Sequence, residues 1–108
     1  MTKPPVTYLF LSAMLASGST LAGDDMLALG KQVFTEQAAP SCTICHTLSD
    51  AGSTGAIGPN LDDLKPTADM VRNAVKNGVG VMPAYRESLD EAQIDALAAY
   101  LVSTQNDE

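Results

Sequence analysis

Cys42-Thr43-Ile44-Cys45-His46 is the stretch on which the reading of this 108-residue chain turns, because it holds both of its cysteines and its one histidine. Two thiols separated by two residues, with an imidazole directly after them, match the C-x-x-C-H signature of covalent haem attachment. Each position has a chemical reason. The thiols add across two porphyrin vinyl groups as thioethers, and the adjacent imidazole is set against the ring plane as an iron ligand. The competing chemistries fit less well. A redox disulfide of the C-x-x-C kind belongs where a strand meets a helix, and no strand pattern stands out in this sequence. A zinc site takes about four ligands, so a carboxylate would have to complete a set of two Cys and one His. One covalently attached haem c is therefore the expected cofactor, with Cys42 and Cys45 as anchors and His46 as an axial ligand.

The second axial position follows by inventory. With a single His in the chain, a second imidazole is excluded, which leaves a methionine thioether, a lysine amine or water. Met26 falls in the first helical stretch, and Met70 falls on an apolar helix face where core packing is the ordinary role. Met82 lies 36 residues beyond His46 in Gly78-Val79-Gly80-Val81-Met82-Pro83, a loop able to carry the chain from one face of a cofactor to the other. Packing is the competing role for Met82. His46 and Met82 are the expected metal ligands. A ligating imidazole also needs an acceptor for its other ring nitrogen, and the carbonyl of Pro59, in Gly58-Pro59-Asn60-Leu61, is a rigid candidate, an ordinary turn being the alternative. Asn60, Arg72, Lys76, Tyr85 and Arg86 are open candidates for haem propionates, although exposed Lys and Arg more often only solvate a surface.

Upstream of this core the composition changes. Lys3 precedes a mostly apolar run from Val6 to Ala16, and Thr20-Leu21-Ala22 offers small residues at a cleavage position, the pattern of a secretory signal peptide over residues 1–22. The apolar run is about half of the roughly 20 residues that span a bilayer. Cleavage after Ala22 leaves a domain of residues 23–108 exported to the periplasm, with no membrane insertion after cleavage. That domain carries five bases against thirteen acids, a net charge of −8, which repels a phosphate backbone and argues against nucleic acid as a partner. At 45% hydrophobic and 18% charged the chain is built to fold rather than to stay disordered. Yet 86 residues bury only about 60% of their unfolded surface. A domain that small needs a staple, and a bonded apolar macrocycle supplies one.

The elements read as all-α. Asp24 and Asp25 can cap a helix over Met26–Gln37, with Leu27, Gly30, Val33 and Phe34 on one face. Gly30 inside it costs about 1 kcal/mol against Ala, so a close approach by another helix is expected there. Thr47 to Pro59 reads as a Gly-rich loop, followed by a helical turn at Leu61–Leu64 ended by Pro66. Thr67 caps a helix that Gly78 ends. Asp90 with Gln93 forms a capping box, and Leu89 with Ile94 a hydrophobic staple, opening a last helix whose stripe runs Ile94, Leu97, Ala98, Leu101 with Tyr100 alongside.

Taken together, Cys42 to His46, Gly58-Pro59-Asn60-Leu61, Val81-Met82-Pro83, and Gly30 with Phe34 facing Leu97 and Tyr100 resemble the class I cytochromes c across nearly the whole of residues 23–108. The resemblance implies about four helices around one covalently bound haem, the first and last crossing at Gly30 with Phe34 and Tyr100 beside the crossing. The loops Cys42 to Gly52 and Gly78 to Pro83 further resemble those of the small periplasmic cytochromes that accompany bacterial molybdenum sulfite dehydrogenases. The implied function is a monomeric, single-haem electron carrier, not an enzyme. It would take electrons from a dehydrogenase, such as a sulfite dehydrogenase, and pass them to a terminal oxidase or another cytochrome. An exposed haem edge ringed by Ile44, Ala56, Val81 and Ala84 is the expected docking area. Two other classes stand beside it: a haem-based catalyst or gas-binding protein with a labile Met82, and a haem-free thiol or metal module built on Cys42 and Cys45.

Overall fold

Asp90 opens the last helix as its sequence dictates: the Asp90 carboxylate accepts from the Gln93 N–H at 2.8 Å while Gln93 Oε1 accepts from the Asp90 N–H at 2.9 Å, closing a capping box. In this computed structural model, which describes residues 2–6 and 23–106, the helices are α1 (Gly23–Gln32), α2 (Cys42–Cys45), α3 (Leu61–Leu64), α4 (Ala68–Asn77) and α5 (Glu91–Ser103). Most of the expected signal peptide, and residues 107–108, lie outside the described residues. Among those described, no helix is long and apolar enough to cross a membrane.

The first helix departs from its expected bounds at both ends. It is already helical at Gly23, where the described residues resume, so Asp24 and Asp25 lie within the helix instead of capping one that starts at Met26. After Gln32 the backbone widens into a π-helical turn, Val33–Gln37, closed by the Ala38 N–H on the Val33 carbonyl at 3.0 Å. Carbonyls at a helix end lack internal partners. Two of them are served by Ser41, whose hydroxyl donates to the Phe34 and Thr35 carbonyls at 3.1 and 3.2 Å.

α1 crosses α5 at Gly30. A Cβ there would strike the Ala96 carbonyl oxygen and the Tyr100 Cβ, and would lie 2.8 Å from the Ala96 carbonyl carbon. Backbone on the far side cannot step aside as a side-chain tip can, and this explains why a helix-weakening residue occupies the position. Phe34 and Tyr100 meet edge to face beside the crossing, centroids 6.3 Å apart, and Val33, Phe34, Leu48, Ile94 and Leu97 form the fully buried centre. Leu89 and Ile94 of the staple are both in this core.

α4 is capped as expected, Thr67 Oγ1 accepting from the Met70 N–H at 3.1 Å, and it turns Val71 and Val75 inward against α5. Arg72 to Asp95 at 2.9 Å and Lys76 to Glu91 at 3.0 Å join the two helices at the surface. Exposed pairs of this kind contribute little to stability. Met70, read as a core position, is instead 48% exposed. One residue on a helix turns the side chain by about 100°, enough to carry it off the Val71/Val75 face and onto the rim of a cavity.

The stretch read as loop holds a small antiparallel ladder, β1 (Thr47–Leu48) and β2 (Ser53–Thr54), with Thr47 opposite Thr54 and Leu48 opposite Ser53. A 3₁₀ turn at Ser49–Ala51 and Gly52 at φ +66° reverse the chain. Two-residue strands are too short to show an alternation in sequence.

Candidate haem site

Ser41 organises the attachment motif. Its hydroxyl accepts from the Thr43 N–H at 3.3 Å as N-cap of α2, so Cys42 and Cys45 are the first and last residues of a single helical turn and project from one short element. The His46 N–H closes that turn on the Cys42 carbonyl at 3.0 Å, and His46 itself is extended, which carries the imidazole away from α2.

The imidazole is held from behind by Gly58-Pro59. His46 Nδ1 lies 2.7 Å from the Pro59 carbonyl oxygen. A carbonyl only accepts, so Nδ1 is the protonated nitrogen and Nε2 carries the lone pair that a metal needs. Gly58 completes the seat: its N–H donates to the Cys45 carbonyl at 2.7 Å, and a Cβ on it would sit 2.6 Å from His46 Cε1. Here a glycine is required for contact with a side chain, not for an unusual φ.

Met82 is presented to the same cavity by a hairpin turn. The Val79 N–H bonds the Met82 carbonyl at 3.1 Å and the Met82 N–H bonds the Val79 carbonyl at 2.9 Å, with Gly80 at φ +56° between them. A positive φ at the first central residue is the type II′ arrangement that suits a two-residue hairpin. Gly78, at φ +74°, lets the two ends of the turn approach closely, since a Cβ there would lie 2.7 Å from the Met82 carbonyl oxygen. The glycines that made this segment ambiguous in sequence thus build the turn.

Cys42, Cys45, His46, Pro59 and Met82, the five residues singled out from the sequence, all line one cavity of about 710 Å³. Its walls are apolar: Phe34 and Leu97 from the helix crossing, Val71 and Val75 from α4, Leu61 from α3. Burial pushes the Cys42 thiol up to about 11, the neighbouring Cys45 adding to the rise and a backbone hydrogen bond opposing it, so it is a neutral thiol at pH 7. The donor set and its surroundings fit a flat, largely apolar iron macrocycle: two thiols for thioether bonds, an imidazole with a free Nε2, a thioether sulfur, and greasy walls.

Other sequence candidates are engaged within the protein. Asn60 Oδ1 caps α3, accepting from the Asp62 and Asp63 N–H groups. Arg72 and Lys76 hold carboxylates of α5. Arg86 bonds the Lys76 carbonyl at 3.1 Å and Asn77 Oδ1, and the Tyr85 hydroxyl donates to the Pro40 carbonyl at 2.7 Å. The sequence reading quoted Gly58 only within Gly58-Pro59-Asn60-Leu61, without its contact to His46, and it missed Ser41. A Ser directly before C-x-x-C carries an N-cap signal that could have found Ser41; nothing local marks the Gly58–His46 contact.

A first and a last helix crossing on a glycine, with C-x-x-C-H on the wall of an apolar cavity, define a class I c-type cytochrome. The chain belongs to the family described as cytochrome C oxidase, cbb3-type, subunit III, which residues 13–101 match. Among relatives, cytochrome c6 of Bryopsis maxima is 31% identical over 91 residues, covering 75% of this chain and 94% of its own length. Cytochrome c-551 of Halorhodospira halochloris is 26% identical over 76 residues, covering 69% and 96%. Among solved structures, the c-type cytochrome SorU from Sinorhizobium meliloti superposes with a TM-score of 0.73 at 49% identity, covering 76% of this chain and 93% of that one. The protein is a small cytochrome c that binds haem c covalently and carries electrons; it is not an enzyme.

Proposed function

We propose that residues 1–22 are removed as a signal peptide and that the mature domain, 23–108, works in the periplasm as a monomeric single-haem shuttle with His46 and Met82 as axial ligands and Cys42 and Cys45 as thioether anchors. The observation that carries this is the convergence of all four side chains on one cavity, with His46 Nδ1 committed to the Pro59 carbonyl. When bound, haem iron supplies the redox step, gaining and losing one electron between its ferric and ferrous states. The chain's own residues do the rest. Pro59 fixes the imidazole tautomer, Gly58 fixes its position, the Val79–Met82 turn presents the sulfur, and the apolar wall from Phe34 to Leu97 excludes water.

Electrons enter and leave near Cys42 and Cys45. Ile44 and Val81 are exposed, 57% and 88%, and with exposed Ala56 and Ala84 they offer a small apolar contact area. A modest, transient interface suits this traffic. The donor is a dehydrogenase, specifically a molybdenum sulfite dehydrogenase, and the acceptor a terminal oxidase or another cytochrome. Support for sulfite comes from the Cys42–Gly52 and Gly78–Pro83 loops and from the 49% identity to SorU. With a net charge of −8 on residues 23–108, docking is to a positive patch and is steered electrostatically.

Stopped-flow reduction of the ferric protein tests the assignment. Rapid reduction by a sulfite dehydrogenase in the presence of sulfite, slowing as salt is raised, is the expected outcome. Reduction no faster than by unrelated dehydrogenases would remove the donor, and a rate indifferent to salt would remove the steering. Mass analysis of the exported protein checks the rest: residues 23–108 plus one haem.

A further inference from the structure

The segment that presents Met82 has little apolar burial of its own. Val79 and Val81, which flank the turn, are 64% and 88% exposed. Two glycines at positive φ make it one of the more permissive stretches of the chain when untethered. Beyond the packing of Met82 and the Tyr85 ring on the core, its ties are polar, and most of them converge on Tyr85, three residues past Met82. The Tyr85 N–H donates to the Val75 carbonyl at 2.7 Å, fastening the segment to the last turn of α4. Its carbonyl accepts from the Ser88 and Leu89 N–H groups at 3.0 and 2.8 Å. Its hydroxyl crosses to the Pro40 carbonyl at 2.7 Å, two residues ahead of Cys42. Among the described residues this is the only hydrogen bond joining residues 78–85 to residues 38–46. The ring that bridges them is 5% exposed and lines the same cavity as Cys42 and Met82.

We propose that the Tyr85 hydroxyl, by bonding the Pro40 carbonyl, is a positioning group that ties the Met82 turn to the haem-attachment segment and so keeps the Met82 sulfur on the iron. The proposal rests on the reading of Met82 as axial ligand. Its physical content is an opening equilibrium. For the sulfur to leave the iron, the turn must swing outward, and the Tyr85–Pro40 bond resists that movement. A hydroxyl–carbonyl bond contributes about 1 kcal/mol net, so its removal makes the opened form roughly fivefold more populated. A purely structural tyrosine would behave otherwise: loss of its hydroxyl would lower global stability without selectively freeing the sulfur.

The test compares four ferric holoproteins: wild type, Y85F, M82A and Y100F. Y85F keeps the ring and removes only the oxygen. Y100F removes another hydrogen-bonded hydroxyl, the one Tyr100 donates to Asp50 at 2.6 Å, from a residue that does not line the cavity. Two quantities are read: the thioether-to-iron absorption band at the red end of the ferric spectrum, and the second-order rate of cyanide binding at low cyanide, which is proportional to the fraction of molecules whose sulfur has left the iron. Wild type should show the band and slow cyanide binding, and M82A should lack the band and bind cyanide fastest. Y85F should keep its haem and helix signal but bind cyanide about fivefold faster than wild type, with Y100F at the wild-type rate. A Y85F rate equal to wild type overturns the positioning role and leaves Met82 standing. An equal acceleration in Y100F also overturns it, since general loosening then explains the effect. If M82A matches wild type in both band and rate, it is the axial reading of Met82 that falls.

Discussion

Replacing Gly58 with alanine should injure the site through one contact, and the structure allows its size to be worked out. Gly58 is not at a positive φ, so alanine fits the backbone and, by restricting the unfolded chain, should stabilise by about 0.4–1 kcal/mol. Against this, the new methyl lies 2.6 Å from His46 Cε1 and 2.9 Å from Nδ1, and ordinary contact begins at 3.4 Å, so the ring must retreat by nearly 1 Å. Overpacking of this kind costs about 1–3 kcal/mol. The displacement also stretches the 2.7 Å bond to the Pro59 carbonyl, worth about 1 kcal/mol. The sum is a net loss of about 2 kcal/mol, or roughly 10 °C in the melting temperature of a domain this size. A weakened Nδ1–H···O bond makes the imidazole a poorer electron donor to iron, so the reduction potential should rise. Only the part of that bond's energy that differs between the ferric and ferrous states moves the potential, so at 59 mV per 1.4 kcal/mol the rise is bounded by about 40 mV for a bond worth about 1 kcal/mol. Thermal unfolding and potentiometry of the holoprotein measure both. Gly52 is the contrast: at φ +66° with open space around it, its alanine variant should lose stability through backbone strain with no change in potential. A G58A protein as stable as wild type, at an unaltered potential, would refute the reasoning.

Three further outcomes are expected from other parts of the fold. Gly30→Ala should lower the guanidinium midpoint by an amount equivalent to about 1–2 kcal/mol, because overpacking against Ala96 backbone outweighs the roughly 1 kcal/mol gained in helix propensity; a raised midpoint would show that the crossing is slack. Tyr100 is pushed up from its ordinary phenol value, chiefly by burial and then by its bond to the Asp50 carboxylate, so the native state favours the neutral phenol. The sign is fixed: this stability is complete below about pH 10 and is lost as pH climbs beyond it, so denaturant midpoints should fall at alkaline pH in wild type and less steeply in Tyr100→Phe. Cys42→Ala with Cys45→Ala should abolish covalent haem and most of the far-ultraviolet helix signal, and full helix content in that double variant would contradict a fold that depends on its cofactor.

The features legible in the sequence are those encoded by neighbours along the chain. The Asp90–Gln93 box, the Thr67 cap, the stop at Gly78 and the C-x-x-C-H pentapeptide each need only a few consecutive residues, and each is where local chemistry requires. Gly30 was legible in a different way: a helix-weakening residue on an apolar face implied a close approach, and the Ala96 backbone is what approaches it. The misses share a cause. The π-helical widening at Val33–Gln37 is stabilised from beyond its own end, by Ser41 reaching back across the bend to the Phe34 and Thr35 carbonyls. The inclusion of Asp24 and Asp25 within the helix is a boundary matter that one sequence rarely settles. Met70 sits one position from Val71, and a difference in direction of about 100° separates core from cavity rim. Gly58 matters because of His46, which is distant in sequence, and no periodicity encodes that contact.

The cavity itself explains why chemistry and folding are inseparable here. A cavity of about 710 Å³ with apolar walls, partly open to solvent, would without contents leave Phe34, Val71, Val75 and Leu97 facing water or empty space, and either is unfavourable. Side chains cannot fill it by rotamer changes, since Val71, Val75, Leu61 and Leu97 already pack against the remainder of the core. The fold is thus shaped to take a large apolar guest, and covalent attachment through Cys42 and Cys45 would make that guest a permanent part of the core. On the proposed ligand set the two ligands would come from segments with no sequence continuity, His46 from the turn after α2 and Met82 from the hairpin after α4, so each axial bond would also close the structure. With both bonds made, the iron would have no open position for a substrate. The same two contacts that would complete the core would then confine the iron to passing electrons.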